Sequence, residues 1–169
     1  SDLTIKKAAA TTTKSFAVVV REETAGGLIA HYAFNNNLND STGALAAGSV
    51  SGALIGASGG SISYVPGVAG NAAVFNGSSG VRLPNGIITK NTYTVSLWLN
   101  PDQLTEFATT FFGARNSDSW ISLLPMGHGW VNNNSMLWSG TVWYDAGLGL
   151  KIPVGQWTQV LAIKVSRRT

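Results

Sequence analysis

A chain of 169 residues with 20 glycines and 11% charged residues has room for one sizeable core, would be cramped as two full domains, and has the composition of an all-β protein. The absence of cysteine excludes disulfides and thiolate-held zinc, and the two histidines, His31 and His128, have no metal-site spacing. The formal charge of +3 resides in the tails, since Thr24 to Val165 carries five bases and five acids, so the body has no clustered phosphate-binding face and no apolar run of membrane-spanning length.

In chain order, Phe16-Ala17-Val18-Val19-Val20 is a β-branched run with polar flanks and predicts a strand. The opening SDLTIKK has no signal-peptide pattern, which suggests an internal segment of a longer exported product. Thr24-Ala25-Gly26-Gly27 then marks a break of linker type. From there, short β-type runs alternate with Gly/Ser/Asn turns at 28–34, 52–56, 61–65, 72–76, 80–83, 92–100, 108–113, 119–124, 135–139, 141–144 and 157–165. That spacing predicts a two-sheet antiparallel sandwich or jelly roll. In YTVSLWLNP, Tyr93, Val95, Leu97 and Leu99 share one face while Thr94, Ser96, Trp98 and Asn100 share the other. Large residues on both faces predict a central strand.

Between the first two of those runs lies NNNLNDSTG. Asn, Asp, Ser and Gly accept left-handed backbone and bond their own main chain, so this stretch reads as a corner between strands. Asp40, with Asn39 and other amides beside it, also supplies hard oxygen ligands and is a weak candidate for structural calcium. Asn76-Gly77 needs no more than a tight turn.

Six tryptophans, at 98, 120, 130, 138, 143 and 157, carry the strongest functional signal, because five follow Asn116 and are interleaved with polar side chains. Sugar rings offer apolar C–H faces to aromatic planes, and their hydroxyls need amide, carboxylate or guanidinium partners nearby. Trp98 and Trp157 lie in core-type strands and are expected to be buried. The candidate carbohydrate-binding set is therefore Arg115, Asn116, Asp118, Trp120, Trp130, Trp138, Trp143, Tyr144 and Asp145. Trp130 in MGHGWVNNN and the pair Trp143-Tyr144 lead it, and His128 between its glycines reads as exposed. Phosphate-loop, dinucleotide, nucleophile-elbow and zincin patterns are all absent. Glycoside hydrolysis needs two carboxyl groups flanking one bond, and Asp102, Glu106, Asp118 and Asp145 are scattered over loops.

The series GLIAHYAFNNNLNDSTG, VPGVAGNAAVFNGSSGVRLP, NTYTVSLWLNPD, FFGARNSDSWISLLP and IPVGQWTQV resembles the laminin-G-like, concanavalin A-like jelly roll of bacterial carbohydrate-active proteins, over about Gly27 to Lys164. The segment TTTKSFAVVV resembles, over a short span, the last strand of a bacterial immunoglobulin-like module. The domain organisation implied is 1–23 as the tail strand of that module, 24–27 as linker, and 28–169 as a jelly roll lacking its last strands. The resemblance implies a non-catalytic module that binds a polysaccharide or oligosaccharide within a larger secreted or cell-surface glycan-degrading enzyme, with neither nucleic acid nor membrane insertion. The alternative is a structural or adhesive domain, and a hydrolase ranks below both. An uncovered sheet edge would invite self-association, and the N-terminal strand 15–20 or a second copy could fill it.

Overall fold

The protein is described by a computed structural model over residues 3–7, 18–22, 27–52, 57–90, 92–116, 119–139, 146–147 and 149–164, with backbone alone for 3–7, 18–22, 115–116, 119–120, 138–139, 146–147 and 164. The described residues include thirteen strands: β1 (Leu3–Lys7), β2 (Val18–Glu22), β3 (Leu28–Tyr32), β4 (Ser49–Gly52), β5 (Ser63–Pro66), β6 (Asn71–Val74), β7 (Ser79–Arg82), β8 (Tyr93–Leu99), β9 (Phe111–Asn116), β10 (Ser119–Leu124), β11 (Met136–Ser139), β12 (Ala146–Gly147) and β13 (Thr158–Lys164). Their ladders are antiparallel, and a single-turn 3-10 helix, Gly129–Val131, lies between β10 and β11. Expected runs 53–56 and 141–144 fall outside the described residues.

The chain forms two compact units, Ser1–Trp98 with Gln159–Thr169, and Leu99–Thr158. In the first, a five-stranded sheet has the order β1-β13-β8-β2-β3, beside two-stranded pairs β4-β7 and β5-β6. Strand β8 is interior, as its two large faces predict: Tyr93, Val95 and Leu97 are buried, and so is Ser96 on the other side. The alternation continues in β13, where Thr158, Val160 and Ala162 are buried and the residues between them half-buried. Burying a larger aliphatic side chain such as Val95, Leu97 or Val160 stabilises by roughly 1.5–3 kcal/mol. Trp98 and Trp157 are half-buried rather than sealed as expected, because an indole is too large to be covered completely at most sites.

Strand β2 lies between β8 and β3, with Val20 opposite Val95 on one side and Ala30 on the other. Strands β2 and β3, on either side of the expected linker 24–27, thus pair with each other, while residues 24–26 of that linker lie outside the described residues. Strand β1 pairs with β13, Leu3 opposite Lys164 through Lys7 opposite Val160. The N-terminal strands are thus strands of this sheet, and an immunoglobulin-like module before the jelly roll is not shown. The second unit holds a four-stranded sheet of order β12-β11-β10-β9, with Ile121, Leu123, Leu124, Met136, Leu137 and Ile152 buried.

Candidate functional site

In the first unit the three asparagines after β3 each have a structural job. Asn35 Oδ1 accepts from the Asn71 amide at 2.9 Å, fastening the corner to β6. Asn36 takes left-handed backbone at φ 59, and Asn37 Oδ1 accepts from the Asn39 amide at 2.9 Å. Asp40 closes the corner. Its Oδ1 accepts from the amides of His31 at 2.8 Å and Thr42 at 3.1 Å, and its Oδ2 accepts from the Leu45 amide at 3.0 Å and from the Thr42 hydroxyl. Burial raises the Asp40 pKa, but these donors outweigh it and hold the carboxyl down at about 2.

That donor set does not fit calcium. Four N–H and O–H hydrogens converge on the two oxygens a cation would need, and Asn39 beside them is exposed. Among the described residues no three His, Asp or Glu side chains gather.

In the second unit the segment from Pro125 to Ser135 folds back on itself. Ser135 Oγ donates to the Pro125 carbonyl at 2.7 Å inside the core, and the Gly127 amide donates to Asn134 O at 2.9 Å. His128 is the N-cap of the 3-10 turn: its backbone is extended, and its Nδ1 accepts from the Trp130 amide at 3.2 Å. Its carbonyl accepts from the amides of Val131 and Asn133, both at 3.0 Å. Asn132 and Asn133 follow in left-handed conformation, at φ 54 and φ 55, a state that asparagine tolerates better than most residues. The result is a rigidly bonded backbone that leaves the Trp130 side chain 93% exposed.

Two further rings extend this surface. The His128 imidazole stacks on Phe107, with centroids 5.5 Å apart and planes 22° from parallel, and meets Trp130 edge to face at 5.8 Å. Phe107 is 52% exposed and sits at φ 60, a strained backbone for a bulky residue. Phe107, His128 and Trp130 thus form an aromatic shelf, and Asn132, Asn133 and Asn134 follow closely in the chain. Asn133 Oδ1 is buried with no hydrogen-bond partner among the described residues. A shelf of this kind can take the apolar face of a sugar ring and offer amides to its hydroxyls.

Of the residues expected from sequence, Trp130 belongs to the shelf. Arg115 and Asn116 end β9, Trp120 lies in β10 opposite Ala114, and Trp138 lies in β11 opposite Ser122, with their side chains outside the described set. Asp118, Trp143, Tyr144 and Asp145 lie outside the described residues altogether. Phe107 is not among the residues that the sequence singles out. Its one local signal is a lone aromatic in the polar loop between β8 and β9.

Antiparallel sheets with a single 3-10 turn among the described residues fit a jelly-roll sandwich. The sequence profile described as "Concanavalin A-like lectin/glucanases superfamily", Laminin_G_3, matches residues 75–166, more than half of the chain. The chain belongs to that superfamily. A similar solved structure is domain 4 of AbnA, a GH43 extracellular arabinanase from Geobacillus stearothermophilus, in complex with arabinotriose: identity is 46%, the match covers 89% of this chain and 68% of that one, and the TM-score is 0.76. No curated protein matches. Among the described residues no helix is long and apolar enough to cross a membrane.

Proposed function

We propose that this chain is a non-catalytic carbohydrate-binding module of a larger secreted or cell-surface glycan-degrading enzyme, and that its ligands are arabinan-type oligosaccharides. The observation that carries this reading is the 46% identity, at a TM-score of 0.76, to an arabinanase domain in complex with arabinotriose. The shelf of Phe107, His128 and Trp130 supports it from the chemistry. An indole left 93% exposed is unfavourable in water and useful against a sugar face.

The module's task is to hold an attached catalytic domain at a polymeric substrate, raising effective concentration without touching the scissile bond. Asp40 is saturated by its corner, which leaves Asp102 and Glu106, exposed in one loop, as the other described acids of the body. Titration calorimetry with arabinotriose and debranched arabinan, against xylan and cellulose oligosaccharides, tests the proposal. Binding confined to arabinans supports it. Equal indifference to all of them would leave the structural or adhesive reading in its place.

A further inference from the structure

We propose that His128 is the positioning residue of the aromatic shelf, holding Trp130 through an Nδ1 that carries no hydrogen, so that proton uptake by the imidazole displaces the Trp130 ring. Its consequence for saccharide affinity rests on the carbohydrate-binding reading above. The displacement itself does not.

The geometry fixes the imidazole form. Because Nδ1 accepts the Trp130 amide at 3.2 Å, the hydrogen of the neutral ring sits on Nε2. A second proton must go to Nδ1, which then donates and faces another donor, so the cap bond is lost. The Val131 and Asn133 amides still bond the His128 carbonyl, and the turn persists. What changes is the tether of Trp130 and the seat of the imidazole.

A lost N-cap acceptor weighs roughly fivefold against the capped arrangement. The cationic ring meanwhile gains about two- to fivefold from the face of Phe107, already 5.5 Å away. Both effects draw the ring off the turn and towards Phe107. Among the described residues, the ionisable groups of the adjoining segments are Asp102 and Glu106 on the exposed loop that carries Phe107, and Lys151 after Leu150, whose carbonyl accepts from Ser135. Segment 125–139 contains no other ionisable side chain. Because a proton on Nδ1 removes the acceptor of the Trp130 amide, weakening with acid is the expected direction.

The test is an NMR titration of the full chain from pH 8 to pH 5, following the His128 ring nitrogens and the Trp130 amide, with and without arabinotriose. His128→Asn keeps a capping acceptor that does not titrate, and His128→Phe keeps a flat ring with no acceptor. Expected are an unprotonated Nδ1 in the neutral form and a Trp130 amide that moves at the His128 midpoint. In His128→Asn the amide should be insensitive to pH, and in His128→Phe it should be fixed near its acid position. Arabinotriose affinity should fall about fivefold on acidification and in His128→Phe, and stay flat with pH in His128→Asn. By reciprocity, saturating arabinotriose should push the His128 midpoint down. A hydrogen on Nδ1 in the neutral form, or a Trp130 amide indifferent to the titration, would overturn the proposal. If arabinotriose does not bind at all, the carbohydrate reading fails while the ligand-free titration still decides the role of His128.

Discussion

The rings of Phe107 and His128 lie 5.5 Å apart and 22° from parallel, although their loops flank different strands of the second unit. This stack holds a phenylalanine in left-handed backbone at φ 60, where an unsupported bulky residue would not stay. Strain kept at an exposed position points to use rather than to packing.

Replacing Trp130 by alanine should separate binding from folding. The side chain is 93% exposed, so the melting temperature should correspond to a stability change within about 0.5 kcal/mol. Arabinotriose affinity should fall about three- to tenfold, the worth of one aromatic contact, as read by calorimetry. Unchanged affinity would move the site away from the shelf.

Phe107→Gly removes a ring from the same surface but suits the backbone. Relief of about 1–2 kcal/mol of left-handed strain should offset the lost ring contacts and leave stability within about 1 kcal/mol of the parent. Weakened binding beside intact stability, from parallel calorimetry and thermal melts, would assign the ring to ligand.

Asp40 makes acid stability predictable. Its carboxyl is held at about 2 in the fold against an ordinary 3.8, so its stabilising effect is fully present above 3.8 and disappears as pH falls through about 2. The effect is worth about 1 kcal/mol after allowing for screening by solvent at the corner. Asp40→Asn sets an amide donor against the Leu45 or Thr42 donors and should cost about 1–3 kcal/mol near neutrality. Urea melts at pH 7, 4 and 2.5 should show the parent losing stability across the last interval and the variant losing less.

Metal removal should do nothing at the same corner. With four donors already on Asp40, EDTA should leave both the melting temperature and arabinotriose affinity unchanged, and added calcium should restore nothing. A rise of the melting temperature on adding calcium would contradict this account of the carboxylate.

Gly127 supports the shelf from beneath. A Cβ there would meet Cγ2 of Val131, the half-buried last residue of the 3-10 turn, at 2.7 Å and the sulfur of the buried Met136 closer still. Gly127→Ala should therefore cost about 1–3 kcal/mol by overpacking and also weaken ligand binding, because relief requires the turn to lift. A thermal melt and a binding isotherm on one sample check both.

Local features of the site are legible in the sequence where side-chain chemistry acts on its own backbone. NNNLND announces a corner because Asn and Asp bond nearby amides, and the corner is built that way, by Asn37 and Asp40. MGHGWVNNN announces an exposed turn, and Trp130 occupies it. The link from Asn35 to the Asn71 amide leaves no such trace, because its partners lie 36 residues apart in the chain.

By itself the sequence determines the antiparallel all-β class, the interior place of β8, the polar corner and the turn that bears Trp130, since period-two burial and turn chemistry act between near neighbours. Tertiary structure alone decides that β2 enters between β8 and β3, that β1 pairs with β13, and that Phe107 comes to lie on His128. These contacts join residues far apart in the chain. Their stabilisation arises after the loops between them have closed, and no local pattern records which distant partner satisfies a strand edge or covers an aromatic face.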